Sequence, residues 1–498
     1  PQPAPKMRDK CKRRRTLKPN KMDKNLTALK PELVWKHFAQ IVRIPRPSGH
    51  EERIRRYVLD FARSQGLECR EDAAHNVYVR KPASAGMDNR KGVILQAHLD
   101  MVPQKNNDKQ FDFEKDPIEA YIDGEWVTAD GTTLGADNGI GAAAILAVLE
   151  DDTLVHGPLE ALFTATEETG MDGAFGLEKG LLQGDILLNL DSETEGELYV
   201  GCAGGLDANI AFEYAAESVP ASGFTAARIA VKGLKGGHSG IANKVLFRLL
   251  NAASKRFDLK LCSVDGGGLR NAIPREAYAI FGVPVKYKEE FLKRYRLFAA
   301  DLKAEFRLRE PNFKITLNEM PEVEEVLDAR TQFGLVYSLV GVPNGVVAMS
   351  FAVPGLVETS TNLASVKFEE GGRIVVTSSQ RSSVESAKTY VMQMVESVFA
   401  LAGADVAHSD GYPGWTPDPQ SKLLEVTVES YKRLFGVEPK VRAIHAGLEC
   451  GLFLEKYPEL EMVSFGPTLR GVHSPDERLE IATVPKFWEL LKEVLRTL

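Results

Sequence analysis

From residue 93 onward the chain repeats one device: a short apolar run that stops at an acid or a histidine. The run 93–97 meets His98-Leu99-Asp100, the run 159–164 leads to Thr166-Glu167-Glu168, and the run 186–190 meets Asp191-Ser192-Glu193. Runs this short read as buried strands rather than helices. Apolar spacing at three and four marks helices at 33–44, closed by Pro45, and at 51–65, and an Ala-rich helix at 140–149. Segment 77–80 is again strand-like. Alternation of this kind from about residue 31 to 186 predicts an α/β fold with a parallel sheet. In such a sheet the carboxyl ends of the strands face one crevice, so residues spread from 98 to 476 can converge there.

The middle of the chain changes character. Segments 226–232, 277–285, 347–353 and 373–379 look like strands, and 245–257 and 288–306 look like helices. This β-rich stretch predicts an inserted α+β domain. Helical patterns return at 388–402 and 422–435, one more apolar strand falls at 462–465, and 484–498 is the last helix.

Charge separates the start from the rest. The net charge is -7, but residues 1–21 hold nine Lys/Arg and one acid, Asp9, so this segment carries +8 and the remainder -15. No apolar stretch follows these charges, so they do not form a secretory signal. They read as a disordered basic leader, with Met22 as the natural start. A body at -15 repels phosphate, which argues against nucleic-acid binding. No apolar run is long enough to span a bilayer. The five cysteines, Cys11, Cys69, Cys202, Cys262 and Cys450, form no C-x-x-C pair. That pattern fits free thiols in a reducing cytosol rather than a disulfide framework or cysteine-bound zinc.

Each chemical motif is weak alone. A lone histidine such as His98 is usually structural, a Glu-Glu pair is usually a solvated face, and Asp-Asn-Gly is usually a turn. Together they say more. Several acids sit at the ends of apolar strands, where burial is costly without a cation. Two histidines with several carboxylates form a donor set that suits Zn²⁺, Mn²⁺ or Co²⁺.

The ordered set His98-Leu99-Asp100, Gly135-Ala136-Asp137-Asn138-Gly139, Glu167-Glu168, Asp191-Ser192-Glu193 and His473-Ser474-Pro475-Asp476 resembles the two-zinc exopeptidases of the aminoacylase and carboxypeptidase type. Longer strings are similar to those of the bacterial aminoacyl-histidine dipeptidases, the cytosolic Xaa-His or carnosine-splitting family. They are 95–107 (LQAHLDMVPQKNN), 171–176 (MDGAFG), 233–240 (GLKGGHSG), 269–277 (LRNAIPREA) and 444–453 (IHAGLECGLF). The resemblance runs from about residue 26 to the C-terminus.

That resemblance implies a split catalytic two-metal exopeptidase domain, 22–205 and 396–498, with a mixed, mostly parallel sheet. An α+β lid domain, 206–395, would be inserted in it. It implies hydrolysis of dipeptides, especially Xaa-His and including β-alanyl-histidine, in the cytoplasm, and allows a homodimer. Two divalent ions are implied, zinc first, with cobalt or manganese as alternatives. Asp137 would bridge them, His98 and Asp191 would complete one site, and Glu168 and His473 the other. Asp100 would orient the His98 ring. Glu167 would be the general base for the water shared by the ions. The Asp137–Asn138 peptide is expected to be cis. His238 would reach over the cleft to polarise the scissile carbonyl.

Arg381 would bind a substrate carboxylate, with Asn271 and Arg275 as similar candidates. Glu449 would hold the substrate ammonium, with His445 beside it. His37, His50, His75, His156 and His408 fit no motif. The family carries a longer Gly-rich segment after Gly240; if its absence is a true deletion, the loop beside His238 is shorter here, and misplacement of a lid group can cost on the order of 100-fold. A tripeptidase or amino-acid deacylase with the same metal set is the nearest alternative. An inactive metal-binding partner protein is the alternative of another class.

Overall fold

The computed structural model describes residues 25–235, 241–268 and 273–498. The basic leader, His238 and Asn271 lie outside the described residues. Among those residues the strands form two large sheets and two small ones.

The first large sheet has the order Glu68–Glu71, Val77–Lys81, Leu159–Thr164, Val93–His98, Ile186–Asn189, Glu461–Ser464, Glu197–Cys202, Lys440–Ile444. Its four central strands, from Leu159–Thr164 to Glu461–Ser464, are parallel. The pairings on either side of them are antiparallel. Val93–His98 and Leu159–Thr164 are buried at every position, because both sheet faces are covered. Helix Ala136–Glu150 lies against Val93–His98, and helix Glu32–Ile41 packs on that helix. Its Ala-rich sequence puts small side chains on every side, so it fits between sheet and helix and is buried almost throughout. Helices Lys422–Phe435 and Thr483–Thr497 pack together, the first also on Glu461–Ser464. Each buried Leu, Ile or Phe in this core contributes about 1.5–3 kcal/mol, which makes the strand ends a rigid platform.

The second large sheet is antiparallel and has nine strands among the described residues. It runs from Lys314–Glu319 at one edge, through Phe224–Lys232, Ala277–Pro284, Lys260–Gly267, Val357–Glu369, Arg373–Ser382 and Gly204–Glu213, to Asp405–His408. Gly345–Met349 pairs with Val357–Glu369 as a branch. Helices Ile241–Phe257, Ala329–Gly341 and Glu385–Leu401 pack on it around a second apolar core. The outgoing and returning chains cross between the sheets at Gly204. A Cβ there would lie 2.5 Å from the Gly414 nitrogen and 2.6 Å from the Tyr412 oxygen, so only glycine allows the crossing.

One expected strand is displaced. The apolar segment 347–353 splits into the end of Gly345–Met349 and a loop in which Phe351 is fully exposed. Pro354-Gly355 breaks the run. The long neighbouring strand Val357–Glu369 escapes sequence reading because its buried positions are mostly Thr, Ser and Ala.

Candidate active site

The chemistry gathers where the parallel strands end. His98 is the last residue of Val93–His98, and Asp100 follows it; both are buried. Asp191 follows Ile186–Asn189. Leu159–Thr164 leads into Thr166, which adopts φ +57°. That left-handed conformation is unfavourable for a β-branched residue. Buried Glu51 holds it, accepting from the Thr166 N–H and hydroxyl at 3.2 Å each and from the Gly49 N–H at 2.9 Å. The turn delivers Glu167 and Glu168. Asp137 opens the Ala-rich helix, and its peptide bond to Asn138 is cis. His473, at φ +60°, closes the site from the far end of the chain.

Asp137 stands between two groups of donors. Its Oδ1 is 3.2 Å from His98 Nε2, which lies 3.4 Å from Asp191 Oδ1. Its Oδ2 is 3.2 Å from His473 Nε2, which lies 2.9 Å from Glu168 Oε2. Within each of these two triads all donor atoms lie within 4.8 Å of one another. The other nitrogen of His98 faces Asp100 at 3.3 Å. Asp100 also accepts from Ser48 Oγ at 2.7 Å and from the N–H groups of Glu167 and Glu168 at 3.0 and 3.1 Å. Burial pushes the Asp100 carboxyl up, but His98, Ser48 and the backbone hold it at about 2. As a carboxylate it faces the His98 ring and fastens the Glu167-Glu168 turn.

The electrostatics fit cations. Burial pushes Asp191 and Glu193 each up to about 7, and the Asp137 charge adds to this. Burial and the neighbouring acids raise Glu167 well above the ordinary range, although the nearby His98 opposes this. Hydrogen bonds to Asp137 and Glu168 lift His473 to about 11. Glu168 Oε1 is buried without a hydrogen-bond partner. Carboxylates crowded at this depth are costly unless positive charge joins them. Two His-plus-carboxylate triads sharing one aspartate match a pair of divalent ions of zinc, manganese or cobalt type.

Two positioning residues escaped the sequence reading. The buried Glu477 carboxylate accepts from four consecutive backbone N–H groups, those of Leu134, Gly135, Ala136 and Asp137, at 2.8, 3.1, 2.8 and 3.3 Å. Buried Arg46 donates to the carbonyls of Leu99 and Asp100 at 2.7 and 2.6 Å and to that of Gly135. Arg46 fastens the Asp137 loop to the end of the His98 strand, and Glu477 fastens it to the segment that carries His473. Gly135 sits at φ +71°, and a Cβ there would meet Arg46 Nη2 at 2.7 Å. The only signal for Glu477 was its place directly after His473-Ser474-Pro475-Asp476. Arg46, between two prolines, gave none.

The expected substrate residues divide. Arg381, on Arg373–Ser382, lines a cleft of about 340 Å³ with Gly170, Met171 and Tyr412, where the second sheet faces the Glu167-Glu168 turn. Its Nη1 donates to the His445 carbonyl at 3.1 Å, and His445 Nε2 lies 2.6 Å from Ser360 Oγ. Arg275 donates to the Leu234 carbonyl at 3.2 Å. Glu449 is 2% exposed and accepts from Gln96 and Thr164 inside the protein. Of the motif-free histidines, His37, His75 and His408 face Glu150, Glu71 and Glu396, away from the site.

Residues 94–497 match the peptidase family M20/M25/M40. The chain is 48% identical over 479 residues to the cytosol non-specific dipeptidase of Escherichia coli, covering 95% of this chain and 98% of that one. It belongs to the M20 peptidase family. Its fold agrees with the crystal structure of aminoacylhistidine dipeptidase from Vibrio alginolyticus at TM-score 0.89 and 45% identity, covering 95% and 98% of the two chains. Aminopeptidase PepT from Bacillus cereus shares the fold of this M20 peptidase at TM-score 0.61 and 16% identity, covering 94% and 98%. Among the described residues of the M20 chain, no helix is long and apolar enough to cross a membrane.

Proposed function

We propose that this M20 peptidase is a cytoplasmic two-metal dipeptidase that hydrolyses Xaa-His and other dipeptides, including β-alanyl-histidine. The observation that carries the reading is Asp137, whose two oxygens each face a separate histidine-carboxylate pair. The dipeptidase names of the relatives at 48% and 45% identity support the substrate class.

His98, Asp137 and Asp191 would hold one ion, and Asp137, Glu168 and His473 the other, with zinc the first candidate and cobalt or manganese as substitutes. Ions so held supply Lewis-acid polarisation of the scissile carbonyl and of water. Glu167 takes the proton of the attacking water and returns it to the leaving amine. Asp100 keeps the His98 ring in one tautomer and orientation. Arg381 receives the dipeptide carboxylate in its cleft, with His445 as its neighbour. His238, Asn271 and Arg275 stay candidates on the lid of 206–395, which closes over the body of 22–205 and 396–498. The assembly proposed is a homodimer.

The test is a peptide panel on protein stripped with a chelator and reloaded with Zn²⁺, Co²⁺ or Mn²⁺. Ala-His and β-Ala-His should be split only after reloading. Faster cleavage of tripeptides or N-acyl amino acids would overturn the dipeptidase reading.

A further inference from the structure

A line of buried side chains crosses the parallel strands one layer beneath the candidate ligands. Glu449 Oε2 accepts from Gln96 Nε2 at 2.7 Å and from Thr164 Oγ1 at 2.8 Å. Gln96 Oε1 accepts from Asn189 Nδ2, and Asn189 Oδ1 accepts from Ser464 Oγ. Ser464 Oγ lies 2.6 Å from Ser192 Oγ. Gln96, Thr164, Asn189, Glu449 and Ser464 are each 2% exposed or less.

Every member but two adjoins a functional position. Gln96 is two residues before His98 on the same strand, so the two side chains share a face. Thr164 is three residues before Glu167. Asn189 is two before Asp191, and its Oδ1 also accepts from the Asp191 N–H at 3.4 Å. Ser192 directly follows Asp191. Glu449 and Ser464 come from elsewhere in the chain and tie these segments together. Near here the backbone ladder ends, with the Leu99 N–H on Thr164 and the Leu190 N–H on Gln96. Beyond that point side chains must set the angles of the strand ends.

We infer that Glu449 is a positioning residue: its one accepting oxygen, shared by Gln96 and Thr164, sets how the strand ends present His98, Glu167 and Asp191 to the metal pair. This rests on the two-metal dipeptidase reading. Glu449 Oε1 has no hydrogen-bond partner, so an amide nitrogen placed there breaks no bond. Glu449→Gln therefore keeps both accepted bonds and turns an NH₂ group to the Oε1 position, whereas Glu449→Ala leaves the Thr164 hydroxyl unmet and Gln96 Nε2 with only its 3.1 Å bond to Thr164 Oγ1.

The experiment compares these variants loaded with Co²⁺, reading the visible absorption spectrum, the metal affinity, and kcat and KM for Ala-His. Glu449→Ala should change the spectrum, weaken metal retention and lower kcat, each loss about 10–100-fold, with KM within about threefold. Glu449→Gln should stay within about threefold of the parent in all readouts. A large rise in KM for Glu449→Gln at constant kcat would overturn the inference and restore a substrate-ammonium contact. An unaltered spectrum and kcat in folded Glu449→Ala would also overturn it. If Glu449→Ala does not fold, the near-isosteric Thr164→Val removes one of the two donors, together with the oxygen that accepts from Gln96 Nε2 at 3.1 Å, and an unchanged spectrum there counts equally against it. Spectrum and affinity are read without peptide, so loss of the dipeptidase reading itself, seen as an inactive metal-loaded parent, is a separate result.

Discussion

Glu477 accepts the backbone N–H of Asp137 at 3.3 Å, the last of four consecutive N–H groups that its carboxylate gathers. The residue that stands between the two donor groups is thus held by an acid 340 positions away that touches only its main chain. Glu477→Gln keeps one acceptor oxygen and turns an NH₂ group toward N–H donors. It should lower stability by about 1–3 kcal/mol and metal affinity about 10–100-fold. Thermal unfolding and metal titration check this; an unchanged metal affinity would refute the clamp.

Asp137 and Glu167 should fail differently. Asp137→Ala removes the oxygens common to both donor groups and should leave the protein unable to retain its metal complement, measured by elemental analysis after gel filtration. Glu167→Ala should keep both ions and lose about 10²–10⁴-fold in kcat. Retained hydrolysis in Glu167→Ala would remove it as the base.

Arg381 borders the cleft and keeps one fork nitrogen on the His445 carbonyl. Arg381→Lys loses bidentate geometry but keeps the charge. It should raise KM for dipeptides by about tenfold or more with a smaller change in kcat. Dipeptide amides, which lack the carboxylate, should be affected least.

Glu461 supplies a pH test away from the metals. Burial raises this carboxyl, but Lys91, the Leu423 N–H and Ser421 outweigh it and hold it below the ordinary range. A carboxyl depressed in the folded state contributes stability above its unfolded pKa and loses it as pH falls through the folded one. Glu461→Gln should therefore cost up to about 1 kcal/mol at pH 7, given its partial exposure. The gap from the parent should close as pH drops below the carboxylate range, as denaturant unfolding at several pH values would reveal.

Much of the fold was legible because apolar runs report burial directly. The runs at 93–97, 159–164 and 186–190 became the strands Val93–His98, Leu159–Thr164 and Ile186–Asn189, with His98, Glu167, Glu168 and Asp191 at their ends. Val357–Glu369 was invisible because Thr, Ser and Ala fill its buried positions. The buried setting of Glu449 was not legible, because an acid in a motif looks the same whether it faces a cleft or a pair of buried donors.

The positions of the central strands along the chain and the identity of the acids and histidines that end them belong to the sequence alone, since side-chain polarity and spacing encode them. Which groups face each oxygen of Asp137, and that Arg46, Glu51, Glu449 and Glu477 hold the loops around it, was decided by tertiary structure. The reason is physical. Three of these residues bind backbone N–H or C=O groups, which every residue carries and no sequence pattern distinguishes. The fourth, Glu449, meets donors brought within reach only when strands distant in the chain pair.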